Sequence, residues 1–269
     1  MTASFSPPFA LVTGCNSGIG ERFAITLAQN GFTVFATARR VQSLEHLMKQ
    51  HENIIALPLE LGDTASLESL KDSIDNQTEG RLDILVNNAG MHYAAPAMDI
   101  DMDEVTKLFA VNVIAVMCMC RLFIPLLQKS PRGRIVQIGS VTRSVPVVCQ
   151  SVYNASKAAL SQYTKTLRVE LKPLSIEVIE VVTGYVRSNI LRHGVLISED
   201  SLYRPIKETV EAVKEGGNKN GMPADEYARV IVRQILAPTY KREIWEGHRS
   251  RVLRFMVTLF PLWLLEFTI

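Results

Sequence analysis

Phe9-Ala10-Leu11-Val12-Thr13 runs directly into Gly14-Cys15-Asn16-Ser17-Gly18-Ile19-Gly20. The first part is an apolar run short enough to be a buried strand, and the second is a glycine-spaced turn. Beyond it Phe23, Ile25, Leu27 and Ala28 recur as the apolar positions of a helix, which Asn30-Gly31 closes at its C-cap. Strand, turn and helix in this order bring uncapped backbone N–H groups and the positive end of a helix dipole to one point. Glycines there permit a tight turn and let a pyrophosphate approach the backbone closely. Surface turns also collect glycine, so the cluster gains its weight from its place between a first strand and a first helix.

Outward from this turn, short β-rich runs alternate with longer helical stretches. Residues 33–37, 54–59, 84–86, 134–138 and 176–182 read as strands, and 44–49, 67–74, 105–127 and 152–171 as helices. Such alternation means crossover connections and a parallel sheet, and continuous apolar strands fit a sheet covered on both faces. The expectation is a doubly wound, Rossmann-like α/β fold, with residues 1–269 in a single domain. Segment 185–222 breaks the rhythm. Within it 202–214 reads as an amphipathic helix and 216–221, Gly-Gly-Asn-Lys-Asn-Gly, as a flexible stretch. Ligands of doubly wound sheets sit beyond the carboxyl ends of the strands. An excursion leaving the sixth strand there is placed to act as a substrate lid, with an ordinary surface insertion as the alternative.

Composition excludes several classes. A chain of 269 residues that is 47% hydrophobic and 21% charged can bury one large core. A formal charge of +2 gives no argument for nucleic acid. Cys15, Cys118, Cys120 and Cys149 show neither a disulfide framework nor the Cys/His spacing of zinc, so they read as small buried thiols and no metal is expected. The opening residues lack the basic flank and long apolar stretch of a cleaved signal peptide, and a cytoplasmic location is expected.

Two further stretches carry chemistry. At the end of the second strand, Ala36-Thr37-Ala38-Arg39-Arg40 lacks an acidic residue that would bind a ribose 2′-hydroxyl and repel a 2′-phosphate. Guanidinium groups match phosphate and stay charged, so NADP(H) is favoured over NAD(H), with Arg39 placed ahead of Arg40. Tyr153-Asn154-Ala155-Ser156-Lys157 opens a helical stretch and sets Tyr153 and Lys157 one turn apart on one face. Moving a phenol from about 10 to about 7 needs roughly 4 kcal/mol of preferential anion stabilisation. A nearby ammonium, aided by a positive nicotinamide, is a source of that order. By itself, Tyr-x-x-x-Lys is common enough to be a solvated helix face.

Taken with the Thr-Gly-x-x-x-Gly-x-Gly turn, Asn87-Asn88-Ala89-Gly90 after the fourth strand and Ser140 after the fifth, the chain resembles the short-chain dehydrogenase/reductase family over about residues 10–188. The resemblance implies Tyr153 as general acid/base, Lys157 holding the nicotinamide ribose and lowering the phenol, and Ser140 orienting the substrate carbonyl. It also implies Asn112 supporting a water-linked proton relay, and Asn88, Ala89 and Gly90 walling the adenosine side. Two positions depart from the family pattern. Glu60, before Leu61, stands where the family has an adenine-contacting aspartate, so that contact is altered or made by backbone. Thr183 replaces the proline of a Pro-Gly segment beside the nicotinamide. Gly184, Val186 and Ser188 keep their register, which implies looser cofactor positioning rather than lost binding.

For the substrate, His92 follows the Asn-Asn-Ala-Gly segment and is either a ligand of a substrate oxygen or a structural histidine. Val147, its apolar neighbours and Tyr185 suggest an apolar wall and a hydrophobic carbonyl or alcohol. Segment 249–269 is apolar, opens with Arg249, Arg251 and Arg254, and is interrupted by Pro261 and Glu266. It is too short to span a bilayer. A peripheral membrane anchor, a cover for the substrate pocket and a subunit contact all remain open for it. Within the family, the Ala-Thr-Ala-Arg-Arg segment and this tail resemble the branch containing 1-acyldihydroxyacetone-phosphate reductases. Related sequences act on ketones and alcohols of lipid, steroid and secondary metabolism. The resemblance also implies a homodimer or homotetramer through the long helices. A non-catalytic NADP(H) sensor or scaffold and an isomerase or cyclase on the same fold are the competing functions.

Overall fold

The computed structural model describes residues 7–191 and 194–261. Seven strands, β1 (Phe9–Val12), β2 (Thr33–Ala38), β3 (Ile54–Pro58), β4 (Ile84–Asn87), β5 (Arg134–Ser140), β6 (Glu177–Thr183) and β7 (Glu243–Glu246), form one sheet in the order β3-β2-β1-β4-β5-β6-β7. Every pairing in it is parallel. The fold is therefore the expected doubly wound, Rossmann-like α/β architecture. Chain direction across the sheet reverses between β1 and β4, which makes their carboxyl ends the place for a ligand.

Strand alternation feeds two cores. Val12, Val34, Val86, Val136 and Val181 face α1 (Gly18–Gln29), the short α2 (Glu45–Gln50) and α8 (Ala224–Leu236), packing against Phe23, Leu27, Leu47, Tyr227 and Ile231. Leu11, Phe35, Leu85, Ile135 and Val178 face the other way, toward α3 (Thr64–Thr78), α5 (Ala115–Gln128) and α6 (Ser151–Glu170), through Leu70, Phe123 and Leu160. Because both faces are buried, the strands read as unbroken apolar runs.

Four differences from the sequence reading matter. The helix expected over 105–127 is α4 (Met102–Phe109), a π-helical turn Ala110–Ile114, and α5. The stretch Met102–Gln128 is long and apolar enough to cross a membrane by length and composition, but half of its apolar window is buried within the fold. In the lid segment the helix begins later and runs further than 202–214. The turn Arg204–Ile206, opened by Pro205, precedes α7 (Lys207–Lys219), which continues through Gly216 and Gly217. Those glycines are thus helical, where the sequence suggests a flexible stretch. The ring of Tyr185 lies where a Cβ at Gly217 would come within 2.4 Å of it, so only glycine lets this contact form. Finally, β7, α8 and α9 (Ser250–Leu259) extend the fold beyond the expected elements.

Candidate active site

The turn after β1 has the expected shape. Gly14 and Gly18 take positive φ values of 72° and 64°. Gly20 lets α1 descend onto the turn, since a Cβ there would lie 2.1 Å from the Gly14 carbonyl oxygen and 2.4 Å from Asn88 Nδ2. Ser17 is the N-cap residue but makes no side-chain cap, which leaves the first-turn N–H groups of Ile19 and its neighbours for a ligand. The loop after β4 is fastened to this turn. The Asn88 and Ala89 amides both donate to Thr13 Oγ1 at 3.0 Å, and Asn88 Nδ2 donates to the Thr13 carbonyl at 2.9 Å. A cavity of about 450 Å³ lies beside it, lined by Gly18, Arg22, Arg187, Ser188 and Asn218 among others. These residues fit the pyrophosphate of a dinucleotide.

Arg39 and Arg40 follow the last residue of β2, both exposed and without an ion pair among the described residues. Free guanidinium groups at a strand's carboxyl end fit a 2′-phosphate. Glu60 is exposed and its amide donates to Ser66 Oγ. Leu61 is half-buried and packs against the core cluster that includes Leu67 and Leu70 of α3.

The proton-transfer candidates converge at the carboxyl end of β5. Ser140 is its last residue, and its Oγ accepts from the Thr142 amide at 3.2 Å. Tyr153 and Lys157 project from one face of α6, both buried, with Lys157 Nζ 5.8 Å from the Tyr153 ring centroid. Lys157 Nζ donates to the Ile138 carbonyl at 3.0 Å. Asn112 lies in the π-helical turn, where the wider backbone carries its amide to the 91 loop. Its Oδ1 accepts from the Met91 amide at 2.8 Å, while Nδ2 donates to the Met91 carbonyl at 2.9 Å and Ser156 Oγ at 3.2 Å. Gly90 sits beside Asn112 Oδ1 and Lys157 Nζ.

Electrostatics depart from the simplest expectation. Burial pushes the Tyr153 phenol up to about 12, while a hydrogen bond from Ser140 pulls it down. Burial takes the Lys157 ammonium down to about 8, opposed by the charge of Glu180. Desolvation thus dominates both groups and outweighs the lowering of the phenol expected from its lysine. The phenol is held protonated at neutral pH.

Around this centre, the His92 ring packs on Tyr153 with centroids 4.9 Å apart. Val147 is half-buried, and its carbonyl accepts from Asn154 Nδ2 near the start of α6. The Tyr185 ring packs against Gly217 on α7. Val186 is buried in the core and bridges to Met222, so only its backbone can meet a cofactor. Gly184 lies against the His248 carbonyl and Ser250, and the Ser188 amide donates to Asn218 Oδ1 at 3.3 Å. Thr183 has a reason of its own: its Oγ1 pairs at 2.7 Å with the hydroxyl of Tyr227, a ring buried under α1. A proline could not satisfy that phenol.

Among the described residues, the lid segment is tied to the rest of the fold by a few bonds, beginning with the backbone pair between Tyr185 and His248. The Leu196 amide donates to the Ala94 carbonyl at 2.9 Å, and Ser198 and Ser201 hydroxyls each donate to the Asp99 carboxylate at 2.5 Å. Sequence reasoning missed Asp99, Thr13 and Ser156, because each acts through a partner far away in the chain. It also missed Glu180, although a carboxylate inside an apolar strand was visible as an anomaly.

The short chain dehydrogenase profile matches residues 8–194. The NADPH-dependent 1-acyldihydroxyacetone phosphate reductase of Saccharomyces cerevisiae is 36% identical over 96% of this chain and 88% of that protein. Short-chain dehydrogenase RED1 of Pyricularia oryzae is 36% identical over 94% of this chain and 90% of its own length. Among solved structures, a short-chain dehydrogenase from Streptomyces avermitilis superposes with a TM-score of 0.81 at 26% identity, covering 93% of this chain and 91% of the other.

Proposed function

The chain belongs to the short-chain dehydrogenase/reductase family of oxidoreductases, and we propose that within it the protein reduces the ketone of a hydrophobic substrate with NADPH. Its cofactor is NADP(H). One observation carries the reading: a buried phenol, hydrogen-bonded to Ser140 and one helical turn from Lys157, is held protonated where a substrate carbonyl would meet it. A proton donor at neutral pH needs that state.

Gly14, Ser17, Gly18, Ile19 and Gly20 would hold the pyrophosphate, and Arg39 with Arg40 the 2′-phosphate. Asn88, Ala89 and Gly90, with Glu60 and Leu61 through backbone, would border the adenosine side. Gly184, Val186 and Ser188 would line the nicotinamide end. NADPH, when bound, supplies the hydride. Ser140 Oγ orients the substrate oxygen, and Tyr153 Oη gives it a proton as negative charge develops there. Lys157, anchored on the Ile138 carbonyl, would hold the nicotinamide ribose through its ammonium and stabilise the phenolate left behind. Asn112 holds the 91 loop against α6 and so keeps His92 on the Tyr153 ring.

His92, Val147 and the apolar segment over Ala94 and Ala95 support a substrate that is largely hydrocarbon around its carbonyl, of lipid, steroid or secondary-metabolite type. Segment 185–222 serves as the lid over it. Exposed Ile114 at the end of the π-helical turn, Met117 on α5 and Val169 on α6 support pairing of two or four chains through these helices. Val252, Phe255 and Leu259 are exposed on α9 beside Arg254 and support peripheral contact of a cytoplasmic enzyme with an anionic membrane. The remainder of that apolar tail, 262–269, lies outside the described residues.

The test is a panel of apolar ketones assayed side by side with NADPH and NADH. Reduction with NADPH, weakened about tenfold or more by Arg39→Ala with little change for NADH, is expected from loss of a charge-assisted contact. A preference for NADH would sink the assignment of Arg39, and NADP(H) binding without turnover on any carbonyl or alcohol would sink the reductase reading.

A further inference from the structure

Glu180 stands in the middle of β6 with a fully buried side chain on the face that packs against α6. Its neighbours in register are Gln137 on β5 and Glu243 on β7. A buried carboxylate in an otherwise apolar strand carries a large desolvation cost unless its charge is compensated. Its Oε2 is compensated: it forms an ion pair with Arg143 and accepts from Ser161 Oγ at 3.1 Å. Arg143 also donates to Ser161 Oγ and Glu243 at 3.0 Å each and lies over the Trp245 ring. Oε1 is different. It has no hydrogen-bond partner among the described residues and sits 3.0 Å from where a Cβ at Gly139 would be. Gly139 lies between Ile138, whose carbonyl holds Lys157 Nζ, and Ser140. Along α6, Tyr153, Lys157 and Ser161 follow at four-residue steps, so Ser161 places the carboxylate one turn beyond the lysine on the same helix face.

We propose that Glu180 is a positioning residue for the reaction, a buried counter-charge that keeps Lys157 an ammonium beneath the tyrosine. The inference rests on the roles proposed for Tyr153 and Lys157. The site needs such a group because burial works against a charged lysine, and the Ile138 carbonyl offers only a dipole. The charge of Glu180 does act on Lys157 in the opposing direction. On the lysine side stands Tyr153 on α6 with His92 packed upon it, and around the carboxylate stand Arg143 from the turn after β5 and Glu243 on β7, with Lys165 acting on Glu243. Arg143 spends its second nitrogen on Glu243, which leaves the inner carboxylate less than fully neutralised toward Lys157.

The test reads Lys157 directly in the cofactor-free protein, by the pH titration of its Cε signal in ¹³C-lysine-labelled samples, assigned by its loss in Lys157→Arg. In Glu180→Gln, which keeps shape and a bond to Ser161, the midpoint is expected to fall by about one pH unit, a tenfold rise in neutral amine at a given pH. Ser161→Ala disturbs the same network but keeps the charge, and its midpoint should stay at the wild-type value. In assays of a reduced ketone, the alkaline limb of kcat/KM should move to lower pH in Glu180→Gln by the same amount. If Glu180→Gln does not fold, Glu180→Leu combined with Arg143→Met removes the pair whole, which cores tolerate better than breaking it, and should lower the midpoint by a smaller amount because a cation leaves with the carboxylate. An unchanged Lys157 midpoint in the folded variant, or an equal fall in Ser161→Ala, overturns the proposal. Because the titration needs no substrate, failure to reduce any ketone would count against the reductase reading alone.

Discussion

The helix α6 and the lid segment 185–222 border the same site and are built in opposite ways. On α6 three buried polar groups are tied to neighbouring elements: Lys157 to Ile138 and Ser161 to Glu180 in the sheet, and Ser156 to Asn112 in the π-helical turn. The lid leaves Ile190, Leu196, Leu202, Tyr203 and Ile206 exposed and, among the described residues, hangs on backbone bonds between Tyr185 and His248 and on contacts at Ala94 and Asp99. Buried polar networks fix geometry because any displacement leaves a desolvated group unpaired. Sparse exposed bonds allow local opening at small cost. In the proposed reaction, proton transfer falls on the rigid side and substrate admission on the loose side.

The contrast can be broken most directly at Tyr153. Tyr153→Phe removes the proton donor and leaves the packing, so kcat should fall by about 10²–10⁴-fold with NADPH binding unchanged, as read by steady-state kinetics and cofactor fluorescence. Turnover near that of the wild type would end the division of labour drawn here.

Lys157 tests the cost of the rigid side. Its folded value of about 8 lies below its ordinary 10.5, so the unfolded chain binds more protons between those limits and stability rises with pH across them. The buried ammonium therefore costs roughly 3 kcal/mol below pH 8. Lys157→Met should raise the melting temperature at pH 7 and lose that advantage as pH approaches 10, measured by thermal unfolding across pH. An advantage independent of pH would show that packing, not charge, is responsible.

At the hinge between the two regions, Thr183→Val keeps the side chain's shape but strands the buried Tyr227 hydroxyl. Denaturant unfolding should show a loss of about 1–3 kcal/mol, whereas no loss would mean that the phenol finds another partner. The smallest effect belongs to the lid. The Ser198 and Ser201 hydroxyls hold Asp99 below the usual carboxylate range, so the latch is made above that range and weakens as pH falls through it. Asp99→Asn should raise KM a few-fold with kcat nearly unchanged, and should speed proteolysis within 194–206. Equal loss of kcat would move Asp99 from the lid to the chemistry.

Reading the chain in order recovers six of the seven strands and places the glycine turn, Ser140, Tyr153 and Lys157 where the fold brings them together. These were legible because each depends on local pattern: a run, a turn residue, a four-residue step. The later elements were less so. Tyr227, Ala228, Ile231, Val232 and Ile235 carry a helical period that marks α8, but Glu243–Glu246 is too short and too charged to announce a strand. In the lid, Pro205 delays the helix and Gly216-Gly217 reads as a breaker, yet packing of Tyr185 on Gly217 carries α7 through. Tertiary contact overrode propensity there.

Residue order thus fixed the periodicities and the short-range spacing of reactive groups, since backbone geometry alone sets which side chains three or four positions apart share a face. Partnerships between distant residues came from folding. Glu180 under Lys157, Thr183 with Tyr227 and Asp99 with two lid serines exist because burial forces each polar group to find a complement wherever the packed chain supplies one.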